Sequence, residues 1–323
     1  MARIAVTSCL AAISMLVLMG TGAEADDADF YKIGDRWVYA ISLDMDEMNM
    51  TGTVTYSVDA ITTESVAGVT YDTYTIVGDG AMDITGAVEN VALTGTATIS
   101  ETGSIDVERL DTIVSDMNMS MSLTMEVFSE SMTVTMWERE ITTYSPPGGV
   151  GEEPQDPEEG DTWILTYTAH HEFIAYDGDA ITTDSDSSTE TRTYLYIGRE
   201  TITVPAGTFD CEVVQVDDGE DIETTWYSDE VGTQVKSVVE YDSSSSGTKV
   251  LTAYTFTPKE PGADGATIYV ILGVAAAVVV VAAVVALVLL RRKPGAPSAM
   301  TPGPITPQDQ PPPASRPPEP PPP

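Results

Sequence analysis

The sequence predicts an all-β ectodomain of two tandem antiparallel curved-sheet units, half-barrel or sandwich-like, together with one transmembrane α-helix. Three observations lead to this fold class. Apolar and polar residues alternate along much of the chain, a sequence pattern occurs twice, and the run Thr267–Leu290 contains no charged residue. Alternation indicates half-buried strands, whereas a long uncharged run indicates a membrane span.

The alternation is clearest between residues 117 and 136. Every odd position from Met117 to Val127 is apolar, and beyond the polar residues 129–131 the phase shifts to Met132, Val134 and Met136. A period of two places one face in the core and the other in water, and a phase shift across a polar insert indicates a hairpin turn or a bulge. Further strands are predicted at 37–45, 50–60, 71–77, 163–175, 191–197, 209–216, 222–227, 233–241 and 248–256.

The two halves of the ectodomain share sequence in the same order. Residues 34–37 (GDRW) recur as 160–163 (GDTW), and residues 59–65 (DAITTES) recur as 179–185 (DAITTDS). We interpret this as an internal repeat, which predicts β unit 1 at 26–144 and β unit 2 at 160–258. Residues 145–159, rich in Pro, Gly and acids, form the predicted linker.

The two ends of the chain predict its topology. Residues 1–25 have the form of a signal peptide, with an apolar run before Ala23-Glu24-Ala25. After a juxtamembrane stalk at 259–266, residues 267–290 suffice to span a bilayer. Arg291-Arg292-Lys293 follow, which keeps the C-terminus cytoplasmic by the positive-inside rule. This is a single-pass type I arrangement with a cytoplasmic, proline-rich, disordered tail at 291–323.

The charge of the chain restricts its partners. Acids outnumber bases by 51 to 14, giving a net charge of −37. Such a surface repels nucleic acid, so no nucleic-acid partner is expected. Acidity, an exported domain and the glycosylation acceptors Asn49 and Asn118 suggest a cell-surface protein, with an archaeal source as a compositional hypothesis. Small residues spaced by four in the span, such as Gly273 and Ala277, permit a weak homodimer through the transmembrane helix.

The second half of the ectodomain resembles a known family. Residues 201–211 (TITVPAGTFDC), followed by 225–228 (TWYS), resemble an exported domain-of-unknown-function family related in fold to the lipoprotein-carrier proteins. The resemblance covers about residues 160–241. It implies a curved antiparallel sheet that forms an open half-barrel, although no helix that would fill the concave face is evident in this sequence.

The residues indicate no catalytic, cofactor or metal site. His170 and His171 are adjacent, so on a strand they point to opposite faces. Asp44-Met45-Asp46 and residues 217–221 are rich in oxygen ligands but lack the spacing of a calcium loop. Cys211 lies mid-strand and fits a small buried core position. We therefore expect a protein that is not an enzyme and has no cofactor.

The methionines supply the one unusual pattern. Met side chains suit adaptable apolar surfaces, and equally they fill irregular cores. The predicted apolar-ligand face comprises Met117, Met119, Met121, Met125, Met132 and Met136. The leading hypothesis is a non-enzymatic membrane-anchored surface protein that binds an apolar ligand or lipid. The alternative is a structural or adhesive component of the cell envelope, with an envelope partner in place of a ligand.

Overall fold

The computed structural model describes residues 30–45, 48–88, 91–127, 130–154, 156–176, 181–219, 221–241 and 245–256. These residues form twelve antiparallel strands. The strands are β1 (Arg36–Met45), β2 (Met48–Val66), β3 (Val69–Val88), β4 (Val91–Asp106), β5 (Thr112–Val127), β6 (Glu130–Val150), β7 (Thr162–Tyr176), β8 (Ile181–Val204), β9 (Gly207–Asp217), β10 (Ile222–Ser228), β11 (Thr233–Glu240) and β12 (Ser245–Thr255).

The strands follow one another around a closed barrel, each pairing with the next in the chain. The barrel closes where β1 pairs antiparallel with β12, from Arg36 opposite Thr255 to Met45 opposite Ser245. We call the end that holds the Met45–Met48 connection the upper end. Closure satisfies the backbone groups that terminal strands of an open sheet would leave unpaired.

The prediction of two tandem curved-sheet units is wrong, because the structure is one barrel. Strand β6 of the predicted first unit pairs with β7 of the second, from Trp137 opposite Tyr176 to Val150 opposite Thr166. Strands β12 and β1 also join the two halves, at the closure. Hydrogen bonding is therefore continuous across both presumed boundaries, and neither an open half-barrel nor separate repeat units exist. The predicted linker begins inside β6, which extends to Val150.

The two Gly-Asp motifs nevertheless form matching turns. Gly34 donates its N–H to Val58, and Gly160 donates to Tyr196, at 2.9 Å in both cases. Both glycines have positive φ, 96° and 93°, which glycine adopts without steric cost. The described parts of the two other repeated segments are not equivalent, because residues 59–65 directly follow the Val58 contact, whereas residues 181–185 begin β8 well before Tyr196.

The lower end of the barrel is filled by aromatic side chains. Trp37 donates from Nε1 to the Val231 carbonyl at 2.8 Å, and Tyr31 donates from its hydroxyl to the Gly232 carbonyl at 2.9 Å. Both rings are buried and pack edge to face, with ring centroids 5.3 Å apart. These bonds connect the start of the chain to the β10–β11 connection. The lower end is therefore packed and closed.

The strands differ in length, which makes the upper rim uneven. Strand β8 pairs with β9 only from Thr193 onward, opposite Asp217, so Ile181–Arg192 pairs with β7 alone. No other described strand pairs with that segment, which therefore forms a free edge above β9. At the lower end, the β2–β3 hairpin extends past the last pair of β1 with β2, Arg36 with Ser57. Its residues Ile61 and Val69 are about half exposed.

Several predictions lie outside the described residues. These are the signal peptide at 1–25, the stalk at 259–266, the transmembrane helix at 267–290 and the tail at 291–323. The ranges that the structure covers contain strands and turns, and no helix there is long and apolar enough to cross a membrane.

A single barrel predicts coupled unfolding of the two halves. Leu43 on β1 is fully buried, so Leu43→Ala should lower the free energy of unfolding of the full chain by about 2–5 kcal/mol. Hydrogen exchange in β7–β9 should accelerate along with exchange in β1–β3, because both belong to one cooperative unit. The control Ile61→Ala, on the exposed hairpin, should change stability by about 0.5 kcal/mol or less. Acceleration confined to β1–β6 would contradict the single unit.

Candidate functional site

Methionines cover much of the upper interior, and we call this surface the methionine wall. Of the predicted ligand face, Met117, Met119, Met121 and Met125 on β5 and Met136 on β6 point inward, each exposed by 8% or less. Met132 is different, because it lies at the rim and is 50% exposed. The rest of the wall is Met45, Met48, Met50 and Met82. These side chains pack against one another, so a ligand would have to displace flexible thioethers.

The inward-facing residues of β6 change from apolar near the rim to charged deeper inside the barrel. Met132 is exposed at the rim, Val134 is half-buried, Met136 is 8% exposed and Glu138 is 1% exposed. The next inward residue, Glu140, is 2% exposed. One strand therefore leads from solvent, past the methionine wall, to two buried carboxyl groups.

His171 on β7 links two of the interior carboxylates. Its Nδ1 lies 3.2 Å from Glu140 Oε1 on β6, and its Nε2 lies 3.2 Å from Glu190 Oε1 on β8. Thr142 Oγ1 is 3.1 Å from Nδ1. Burial disfavours the charged ring, but the hydrogen bonds and charges of the two glutamates outweigh it and raise the pKa of His171 to about 9. At neutral pH an imidazolium therefore donates to a carboxylate on each side.

Arg192 extends this arrangement on β8. Its Nη2 lies 3.9 Å from Glu190 Oε2, and its guanidinium lies over the Tyr167 ring, 4.8 Å from the centroid. Burial opposes the charge of Glu190, yet the His171 hydrogen bond, the Arg192 charge and the Ser188 hydroxyl together lower the pKa of Glu190. His171 thus interacts with Glu140 and Glu190, and Arg192 interacts with Glu190. We call Glu138, Glu140, His171, Glu190 and Arg192 the polar layer.

Glu138 is the exception within the polar layer. Among the residues that the structure describes, neither of its carboxyl oxygens has a hydrogen-bond partner. Its neighbours in register are Met119 on β5 and Ala175 on β7. Burial, and then the charge of Glu140, raise the pKa of Glu138 to about 8. A buried carboxyl with no partner costs roughly 1–3 kcal/mol, and a ligand that hydrogen-bonds it would recover that cost.

A second buried charged group lies elsewhere in the barrel. Lys249 on β12 is fully buried, with Nζ 5.1 Å from the Tyr39 ring centroid and 5.6 Å from that of Tyr56. Burial lowers the pKa of Lys249 to about 8, opposed by the charges of Glu223 and Glu101. Glu223 accepts from Ser237 Oγ at 2.5 Å. These contacts involve protein groups throughout, which indicates a structural charge cluster.

The other residues considered in the sequence analysis lie on the outer face, in the core or in a turn. Asn49 and Asn118 are exposed on the outer face. His170 is exposed and His171 buried, as their adjacency predicted. Cys211 is a buried core thiol. Asp217 and Asp218 accept backbone N–H bonds within a turn, and among the described residues no His, Cys, Asp and Glu side chains are grouped to hold a metal ion.

Sequence reasoning missed the polar layer, although part of its signal was present. The even-numbered positions that place Met132, Val134 and Met136 on the inward face continue to Glu138 and Glu140. Extending this alternation by two more positions would have predicted two buried carboxyl groups. Nothing local in the sequence indicates that Glu190 and Arg192 join them, because that depends on the β7–β8 register.

Comparisons with known proteins give little further identification. No family model matches the chain, and no curated protein matches it. One solved structure is similar: a beta-barrel-like protein of a domain of unknown function, DUF1849, from Brucella abortus. It has 8% identity and a TM-score of 0.37, and the match covers 70% of this chain and 99% of that one. This distant likeness is to a barrel-like protein and gives no support to the lipoprotein-carrier relation.

Glu138 should give stability a measurable pH dependence. Its carboxyl keeps a proton in the folded state up to about pH 8 but loses it near 4.5 when unfolded, so it makes stability fall between those values. Glu138→Gln has no titrating carboxyl group and so lacks this loss of stability. As pH rises from 4.5 to 8, the free energy of unfolding of the variant should therefore rise relative to wild type by on the order of 4 kcal/mol, at about 1.4 kcal/mol per pKa unit. Denaturant unfolding of the full chain at each pH measures it, and parallel pH profiles would contradict the burial of Glu138.

The pKa of His171 is raised as well, so its contribution to stability also falls as pH rises, over a higher pH range. Because its folded pKa lies above the unfolded value of 6.5, its stabilising contribution is complete below pH 6.5 and is lost as pH rises through about 9. At pH 6.5 we expect His171→Gln to cost about 3–5 kcal/mol, since it leaves two carboxylates without their shared cation. The neighbouring control His170→Gln, on the outer face, should cost about 0.5 kcal/mol or less. Equal effects of the two variants would refute the bridging role.

Proposed function

We propose that the protein is a non-enzymatic, membrane-anchored surface protein whose barrel binds an amphipathic molecule. The apolar part lies against the methionine wall, and the polar group reaches Glu138. The observation that carries the proposal is the Glu138 carboxyl, which is buried beside Met119 and Ala175 without a hydrogen-bond partner among the described residues.

The composition of the wall supports this proposal. The described upper interior of β1–β6 is lined by methionines together with Leu43, Ile84, Leu93 and Leu123. Thioether chains are unbranched and have three rotatable bonds, so a methionine wall can repack around an apolar chain at lower cost than a wall of branched residues. The gradient from Met132 at the rim to Glu138 inside provides a route along β6.

The arrangement of the polar layer favours binding over catalysis. A catalytic carboxyl–imidazole pair needs a reactant within reach, whereas both nitrogens of His171 already contact glutamates. The imidazolium thus holds β6, β7 and β8 together below the rim. Its role in this proposal is to fix the position of Glu138. On β6, Glu138 is the inward-facing residue next to Glu140.

A second candidate function is a structural or adhesive component of the cell envelope. The observation that favours it is the outer surface, where the β2–β3 hairpin exposes Ile61 and Val69 and where Asn49 and Asn118 are accessible. Glycans at these asparagines, together with ordered self-assembly of the chain, would support this function. The anchor in either case is the span predicted at 267–290.

Binding predicts a mass adduct on the native protein. Full chain isolated from its own membranes should carry an apolar molecule in one-to-one ratio in native mass spectrometry, and solvent extraction should release it. Met136→Trp should lower the adduct fraction about tenfold, because the larger ring occupies the route from rim to Glu138.

The matched control is Val150→Trp, which adds the same ring at an outer position that is 67% exposed. It should leave the adduct fraction unchanged. Circular dichroism and the unfolding midpoint show whether each variant is folded. A folded wild-type chain without any adduct, and unable to take one up from a lipid extract, would overturn the proposal.

A further inference from the structure

The charges around Glu138 restrict the polar group that the barrel can accept. The charged residue that acts on Glu138 is Glu140, on the same strand. The neighbouring strands contribute uncharged side chains in register, Met119 from β5 and Ala175 from β7. The nearby cation His171 contacts Glu140 and Glu190. Within the described ranges, an anionic group at Glu138 would therefore meet carboxyl groups, while the His171 cation is already in contact with two glutamates.

The path along β6 defines the orientation of the ligand. Met132, Val134 and Met136 precede Glu138 on the inward face, and exposure falls from 50% at Met132 to 1% at Glu138. Strand residues rise about 3.3 Å each, so roughly 20 Å separate Met132 from Glu138. An alkyl chain that follows these side chains has its polar end inside the barrel and its tail toward the rim.

We propose that the ligand class is a long-chain amine, or another amphiphile with a cationic N–H head group, held head inward by Glu138. This inference rests on the proposed function and deepens it. On binding, the neutral Glu138 carboxyl releases its proton to solvent, and the resulting carboxylate accepts N–H bonds from the ammonium group. One proton leaves for each ligand bound, and the ammonium keeps its own protons.

The chemistry favours the ammonium over other head groups. A charge-assisted hydrogen bond contributes about 1.5–3 kcal/mol, more than a neutral one, and the added cation also compensates the Glu140 charge. A hydroxyl group can hydrogen-bond the protonated Glu138 without charge compensation. A carboxylate head group would be repelled, because like charges close together in a dry site cannot both ionise.

The test uses three photo-crosslinking probes of equal chain length. Each is an alkyl diazirine of twelve carbons, with an amine, a carboxylate or a hydroxyl head group, offered to the full chain in nanodiscs. Labelled peptides are mapped by mass spectrometry. We expect the amine probe to label β5 and β6 about tenfold more than the carboxylate probe, with the hydroxyl probe between them. Amine labelling should rise from pH 6 to pH 9, since binding releases the Glu138 proton.

The variant Glu138→Gln keeps the shape of the side chain and removes its acid. It should lose the amine preference and the pH dependence, whereas hydroxyl labelling of β5 and β6 should persist. The control Glu172→Gln changes a β7 carboxyl whose side chain is 59% exposed on the outer face, and it should behave as wild type. Persistent amine preference in folded Glu138→Gln would overturn the inference.

The outcomes separate this inference from the function on which it rests. Carboxylate labelling equal to or above amine labelling, at β5 and β6, would refute the head-group assignment and leave the apolar-ligand function intact. Absence of barrel labelling by all three probes would refute both. Amine-selective labelling that maps to β5 and β6 and depends on Glu138 supports both.

Discussion

Antiparallel pairing between β1 and β12 is the constraint on which the rest of the structure depends. The two strands come from opposite ends of the described chain, so their pairing converts a twelve-strand meander into a closed wall with a defined inside. Without it, the inward faces of β5, β6 and β12 would have no common interior. Bonds from Trp37 and Tyr31 to the β10–β11 connection reinforce the same junction. Long-range pairing of this kind forms at a considerable cost in chain entropy.

Closure also explains why so many ionisable groups tolerate burial. Twelve strands enclose more space than the eight that side chains fill easily, and here large polar residues occupy part of it. The buried cations Arg192 and Lys249 and the protonated His171 each lie near carboxyl groups, which offsets the desolvation of both partners. Glu138 departs from this pattern, because neither of its carboxyl oxygens has a hydrogen-bond partner among the described residues and the neighbouring charge that acts on it is that of Glu140.

Sequence patterns predicted the strands well and their assembly poorly. Alternation placed β1, β7, β9, β10, β11 and β12 to within a few residues, because period two is a local property. Strand β4 was not predicted, since Gly95, Ala97 and Gly103 interrupt the large apolar residues on its inward face. The repeated GDRW and GDTW segments indicated two units, yet a local turn motif carries no information on which edges pair. The carboxyl groups at Glu138 and Glu140 were predictable from phase, whereas their approach to His171 and Glu190 required the register of three strands.

Acidic residues on the free edge of β8 have a specific physical effect. From Thr182 to Thr191 each residue is Thr, Ser, Asp or Glu, on a strand that no described strand other than β7 pairs with over this range. Exposed edges template intermolecular sheets, and nature often blunts them with charge. Two such edges brought together would set Asp184 and Asp186 against their counterparts. The like charges on this strand would therefore oppose edge-to-edge pairing between copies of the chain, and with it the growth of an intermolecular sheet.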